Sequence, residues 1–369
     1  MIISRLELFN FRNYGYQDIE FTPDRNIISG RNAQGKSNLL EAIYFLSHLK
    51  SKRSPRIRDL VMEGETLASV RGLFSDSGTV IKVKVSFGRK GREVEVNGRM
   101  LESAVKARGL VKCVLFSPDD LYAVKGDPSR RRDFLEETAE EIGPAEIEAI
   151  QRYRHALRQR NAVLRTWEEK GATLNAVLEP WTVELVGSGV DIVRSRLEMV
   201  VWMEAVIREI YLEISGEDKE AGFKYVGTFD CGIDSSAGEI ARGMREALDR
   251  SAREEKSVRC TVVGPHRDDV EIRLGGREAR FTASQGEQRT LAFCMRVAQK
   301  RYIETVAGEA PVMLLDDVLS ELDRGRRDKV LELVGEGSQA IITTAEEPGG
   351  LPRHGARVFN VHKGKVRVV

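Results

Sequence analysis

Residues Gly30-Arg31-Asn32-Ala33-Gln34-Gly35-Lys36-Ser37 follow the pattern GxxxxGK[ST], which commits the chain around them to one local architecture. The two glycines let backbone N–H groups turn inward and form a concave cradle for phosphate oxygens. Lys36 is then placed to reach β- and γ-phosphates, and the Ser37 hydroxyl to ligate Mg²⁺. Such a cradle needs a strand to deliver the chain and a helix whose amino terminus points at the anion. Both flanks are present: Ile27-Ile28 precede the loop, and Leu39, Leu40, Ile43 and Leu46 follow at helical spacing. Strand, glycine loop and helix open an α/β nucleotide-binding unit.

A second motif supplies the carboxylates such a site requires. Val312-Met313-Leu314-Leu315-Asp316-Asp317 is an apolar strand ending in two acids. The first acid can hold the Mg²⁺ water shell, and the second can orient or deprotonate an attacking water. Upstream lies Ser284-Gln285-Gly286-Glu287-Gln288, and downstream Ser320-Glu321-Leu322-Asp323. Ser284, just before Leu291-Ala292-Phe293, reads either as a plain helix cap or as an anchor for a γ-phosphate.

The rest of the chain frames these motifs. Residues 2–9 alternate, with Leu6 and Leu8 apolar against Arg5 and Glu7, as in a half-buried strand. Ile81, Val83, Val85 and Phe87 alternate with Lys82, Lys84 and Ser86 before an Asn97-Gly98 turn, which predicts an antiparallel meander over 66–101. From about 119 to 255 apolar residues recur at helical spacing among many charges, without sustained heptads. Pro311–Leu315 and Ala340-Ile341-Ile342 read as buried parallel strands, and 357–369 as a hairpin around Lys363-Gly364. The predicted organisation is a split nucleotide domain, 1–115 and 258–369, around a mostly helical insert, 116–257.

The order phosphate loop, SxGxQ segment, acidic strand end and SxLD resembles the ABC-type ATPase heads. Within them, three further stretches resemble the RecF family: Leu8-Phe9-Asn10-Phe11-Arg12-Asn13-Tyr14; Phe116-Ser117-Pro118-Asp119-Asp120-Leu121 with Lys125–Arg132; and Gly264-Pro265-His266-Arg267-Asp268-Asp269. The resemblance implies an ABC-type head: a mixed α/β sheet with the phosphate loop, an antiparallel meander, and a helical second lobe. It implies ATP and Mg²⁺ as cofactors, Ser37 and Asp316 on the metal, and Asp317, Lys36 and Ser284 as catalytic. Gly30 to Asn38, Arg12, Asn13, Gly286 and Gln288 would complete the nucleotide site. The signature serine of such heads serves the partner's nucleotide, so ATP would join two copies, and hydrolysis would release them. The family's role implies DNA, single- and double-stranded and at gap junctions, together with RecO and RecR, in recombinational gap repair and replication restart.

Two departures bear on rate. No glutamine lies near 111–120, where a transporter places one, leaving Ser117 or Asp119 as the nearest polar candidates. Thr343-Thr344 stand where a transporter carries a catalytic histidine. Slow hydrolysis is therefore expected, and an energising transport subunit or an SMC-type chromosome head remains the alternative.

The formal net charge of +1 gives no global attraction to a polyanion, so DNA would have to meet local clusters. Lys50, Lys52, Arg53, Arg56 and Arg58 form one, Arg130, Arg131 and Arg132 another, and Arg152 to Arg165 a third. From these, Lys52, Arg53, Arg56, Arg131 and Arg132 are the candidate DNA contacts, tracking backbone without reading bases. His266 has no nearby Cys or His and reads as structural. Cys113, Cys231, Cys260 and Cys294 form no CxxC pair and read as buried small hydrophobes in a reducing compartment. No leader layout and no membrane-length apolar run are present, so a cytoplasmic protein without a membrane partner is expected.

Overall fold

The computed structural model describes residues 1–76, 78–167, 173–216, 219–318, 324–345 and 355–369. The chain opens with β1 (Ile2–Phe11), β2 (Tyr14–Glu20), β3 (Arg25–Ser29) and α1 (Lys36–His48). The meander follows as β4 (Leu67–Asp76), β5 (Thr79–Gly88), β6 (Gly91–Val96) and β7 (Arg99–Met100), then β8 (Cys113–Phe116). Helices α2 (Leu121–Lys125), α3 (Pro128–Ile142), α4 (Pro144–Thr166) and α5 (Leu174–Ser215) precede β9 (Ala221–Val226), α6 (Ala237–Arg250) and α7 (Ala252–Val258). Next come β10 (Asp269–Leu274), β11 (Arg277–Glu278), α8 (Ala279–Thr282) and α9 (Gln285–Ala307). The chain finishes with β12 (Val312–Asp316), α10 (Arg324–Gly335), β13 (Ala340–Thr344), β14 (Ala356–His362) and β15 (Lys365–Val368).

Two compact units result, one of residues 1–121, 213–216 and 292–369, the other of 122–212 and 217–291. The first holds two sheets. One is antiparallel in the order β2-β1-β4-β5-β6-β7, and the other runs β15-β14-β3-β13-β12-β8. In the second sheet all strands but β15 are parallel. Helix α1 packs against strands of both sheets. Leu39, Leu40, Ala42, Ile43, Tyr44, Phe45 and Leu46 are all buried, so this helix is apolar around most of its circumference, as a helix enclosed between sheets must be. Each large apolar side chain so buried contributes about 1.5–3 kcal/mol, which fixes the start of α1 firmly.

The parallel register sets the position of the chemistry. Thr344 lies beside Ser29, Thr343 beside Asp316, and Leu315 beside Phe116. The carboxyl ends of β3, β13, β12 and β8 therefore share one edge, the usual place for a ligand in such sheets.

The second unit combines α3 to α7 with a small sheet, β11-β10-β9. Residues 258–291 belong to it, whereas the sequence reading returned them to the nucleotide domain at 258. The physical reason is the antiparallel pairing of β9 with β10, Ala221 against Leu274 through Val226 against Asp269, which stitches the later segment to the insert. A buried ion pair also binds α4 to α7: Arg160 donates to Glu255 at 3.0 and 2.6 Å and to the Thr261 hydroxyl at 2.8 Å. Cys113 and Cys294 are buried as expected, but Cys231 and Cys260 are half-exposed. Among the described residues, no helix is long and apolar enough to cross a membrane.

Candidate nucleotide site

The loop between β3 and α1 adopts the conformation its glycines permit. Gly30 and Gly35 have φ of 148° and 115°, a region other residues enter only under strain. A Cβ on Gly30 would lie 2.5 Å from the Val361 carbonyl oxygen, and one on Gly35 2.6 Å from the Asn13 side chain. Only glycine fits either position. The turn of the β14–β15 hairpin also braces the loop, since Lys363 N–H donates to Gln34 Oε1 at 2.7 Å and Gly364 N–H to the Gln34 carbonyl at 3.2 Å.

Asn13, Tyr14 and Asn38 prop the loop from the other side. Asn13 Nδ2 donates to the Gln34 carbonyl at 3.0 Å, Asn38 Nδ2 to Asn13 Oδ1 at 2.8 Å, and the Tyr14 hydroxyl to the Gly35 carbonyl at 3.0 Å. Arg12 is engaged elsewhere: its guanidinium grips the buried Glu41 carboxylate through two bonds of 2.8 and 2.7 Å. In this conformation Asn13 and Asn38 support the cradle, while Arg12 holds α1 through Glu41.

The reactive groups converge across the sheet edge. Lys36 Nζ donates to the Gly30 and Arg31 carbonyls at 2.6 and 3.0 Å. Burial pushes its pKa down, while Asp317 and Asp316 pull it up. The Ser37 hydroxyl donates to Asp316 Oδ1 at 2.7 Å. Thr343 joins the two acids: its hydroxyl donates to Asp316 Oδ1 at 2.8 Å and accepts from the Asp317 N–H at 2.9 Å. Asp317 itself sits at φ 52°, a left-handed conformation that costs a non-glycine residue of order 1 kcal/mol and marks a constrained position.

A cavity of about 270 Å³ opens beside Ser37 and Asp316, lined also by Tyr44, Lys52, Arg53, Ser117 and Asp119. Both sequence candidates for the missing glutamine, Ser117 and Asp119, thus line the same cavity as Ser37 and Asp316. Asp120 fixes their turn, accepting from Ser117 N–H at 2.7 Å and from the Arg296 guanidinium. The cavity also holds Lys52 and Arg53, expected on a DNA surface. Lys52 lies 3.8 Å from Asp120, and Arg53 donates to Asn38 at 3.0 Å. Glu41 and Arg296 were not singled out from the sequence, and neither were the contacts that Thr343 and Asp120 make. Their roles depend on strand register and on contacts far apart in the chain, for which no local pattern exists.

Ser284, Gly286 and Gln288 belong to the second unit. Ser284 caps α9: its Oγ accepts from Glu287 N–H at 3.3 Å, and its own N–H donates to Glu287 Oε2 at 2.7 Å. The reciprocal pair is a capping box. Lys219 bonds Glu287 at 2.6 Å and, with the Ser284 bonds, holds that carboxyl down at about 2. Gln288 is buried and donates to the Ala279 carbonyl at 3.3 Å, tying the first turn of α9 to α8. The predicted Ser320-Glu321-Leu322-Asp323 segment lies outside the described residues.

Arg131 corrects an expectation. It is 3% exposed and clamps Asp269 with bonds of 2.7 and 2.9 Å, so it is part of the interior of its unit and not a DNA contact. Arg132 donates to the Asp268 carbonyl at 2.9 Å and is half-buried. A run of arginines in sequence carries no information on which of them turns inward.

His266 has the structural role its isolation suggested. Its Nε2 donates to the Thr261 carbonyl at 3.0 Å, leaving Nδ1 to accept from the Tyr153 hydroxyl at 2.6 Å. Burial lowers its pKa to about 4. A histidine held neutral stabilises the fold fully above its unfolded value of about 6.5, and that stability is lost as pH falls toward 4. The loss approaches about 3 kcal/mol. Urea midpoints should therefore drop between neutral pH and about pH 5, and His266→Gln should flatten that slope. An unchanged slope in the variant would remove His266 from the account.

Comparison with known proteins shows the family and the fold. The family model described as the RecF/RecN/SMC N terminal domain matches residues 2–362. The DNA replication and repair protein RecF of Heliobacterium modesticaldum is 35% identical over 99% of both chains. That of Streptococcus pneumoniae strain P1031 is 33% identical over 100% of this chain and 99% of its own. A solved structure of the recombination mediator protein RecF with ATP, in the RecFOR pathway, superposes with a TM-score of 0.92 at 31% identity, covering 100% of this chain and 97% of that one. An Smc head bound to the C-winged helix domain of ScpA shares the fold, with a TM-score of 0.58 at 17% identity over 100% of this chain and 97% of that one.

Proposed function

The chain belongs to the RecF family, and from that premise we propose that it is an ATP-dependent DNA-binding protein of recombinational gap repair and replication restart. The observation that carries the nucleotide part is the meeting of Ser37 and Asp316, 279 residues apart in sequence, at 2.7 Å beneath a glycine cradle. A hydroxyl and a carboxylate so placed are a fitting pair of oxygen ligands for Mg²⁺. Gly30 and Gly35 supply the positive-φ backbone that lets a loop turn its N–H groups toward a phosphate.

In this reading residues 30–37 wrap the β- and γ-phosphates of ATP, and Lys36 exchanges its two carbonyl partners for phosphate oxygens. Ser37 and Asp316 hold Mg²⁺, whose charge, when bound, offsets that developing on the phosphates. Asp317 orients a water and accepts its proton; its side chain, a methylene shorter than glutamate, favours slow hydrolysis. Ser117 or Asp119 contributes the polar contact to the metal side of the cavity. Ser284 and Gly286 of one copy complete the site of a second, so that ATP joins the copies and its hydrolysis releases them. Loading of recombinase at single-strand gaps with RecO and RecR, in the cytoplasm, follows from the family's role.

The test is duplex and gapped-duplex binding with and without a non-hydrolysable ATP analogue and Mg²⁺. Nucleotide should raise affinity at least tenfold, or about 1.4 kcal/mol. Equal binding in both states would contradict an ATP-gated clamp.

A further inference from the structure

We propose that the β5–β6 hairpin tip and the segment after α1 together form one basic face on which the phosphate backbone of duplex DNA lies. This rests on the DNA-binding reading above and assigns it a surface. Residues 50–58 carry five lysines and arginines and no acid, and residues 89–92 carry three and no acid. The fold brings these stretches together, although they are separate in sequence. Arg92 Nη1 donates to the Leu49 carbonyl at 2.5 Å, and the short helical turn Ile57–Leu60 packs against β5.

Arg56, Arg58, Arg89 and Lys90 are all exposed. The hairpin tip stands clear of its surroundings, for a Cβ on Gly91 would meet nothing within 4 Å. Two exposed acids adjoin these cations, Asp59 at 3.8 Å from Arg58 and Glu93 next to Arg92 in sequence.

Duplex is the occupant these residues favour. Neither stretch contains an aromatic residue. Single strands gain much of their affinity by stacking bases on aromatic rings, whereas a duplex offers paired rows of phosphates to flexible cations. Lys52 and Arg53, turned to the cavity beside Ser37, are set apart from this face.

The experiment measures affinity for duplex and for single strands of equal length against salt, with Mg²⁺ and a non-hydrolysable ATP analogue. The variants are Arg89→Glu/Lys90→Glu and Arg56→Glu/Arg58→Glu. Each should lower duplex affinity roughly ten- to a hundredfold and make the slope of log affinity against log salt shallower by about 2, with the thermal shift by ATP unchanged. Variants that bind duplex with wild-type affinity and slope overturn the assigned face alone, as does a loss confined to single strands. A wild-type protein that binds no DNA overturns the functional reading as well.

Discussion

Replacing Lys36 by methionine is expected to abolish nucleotide-dependent DNA binding while leaving the fold intact. Methionine keeps most of the apolar stem that passes through the loop, so the packing of a residue only 6% exposed is preserved. What disappears is the ammonium that now bridges the Gly30 and Arg31 carbonyls. Those carbonyls line a rim that water can reach, so the free protein should lose little stability. With ATP bound the same group makes charge-assisted bonds to phosphate oxygens, each worth about 1.5–3 kcal/mol. ATP affinity should fall about tenfold to a hundredfold, and the ATP-induced rise in melting temperature should shrink accordingly. DNA retention should become the same with and without nucleotide. A variant that keeps the full ATP-dependent gain in DNA affinity would show that the loop is not the switch.

Replacing Ser284 by arginine should leave ATP binding unchanged and prevent ATP from joining two copies. Ser284 is in the unit that does not carry the phosphate loop, and its present bonds are those of a helix cap. Arginine there costs about 1 kcal/mol through the lost cap and sets a cation against a helix amino terminus. A control separates cap from phosphate contact. Ser284→Asp keeps a strong cap, and its negative charge suits the helix, but it repels a γ-phosphate presented by a second copy. The aspartate variant should thus melt like the wild type and still remain single with ATP. If it dimerised as the wild type does, Ser284 would be a cap and nothing more.

The phosphate loop and the acidic strand end were legible because their chemistry demands fixed residue types at short, fixed spacing. The meander and the parallel strands were legible from alternation and from continuous apolar runs, which backbone geometry imposes locally. The border of the helical insert was not. Residues 258–291 join the second unit through β9–β10 pairing, and nothing in either strand names its partner. Thr343 illustrates the same point within the site. It was read as the position of an absent histidine, yet the parallel register puts its hydroxyl between Asp316 and Asp317. Arginines were the least legible residues. Arg12, Arg131 and Arg92 are spent on Glu41, Asp269 and the Leu49 carbonyl respectively, while Arg89 and Lys90, in a stretch read only as strand alternation, lie exposed. A guanidinium pairs equally well with a carboxylate inside the protein or a phosphate outside it, and only the fold decides.

Sedimentation velocity of the wild-type protein with Mg²⁺ and a non-hydrolysable ATP analogue, at micromolar concentration with and without gapped duplex, addresses the shared site most directly. A nucleotide-dependent shift from one copy to two is the predicted result. A single boundary of monomer under every condition would contradict it, since Ser284 would then have no second phosphate loop to complete.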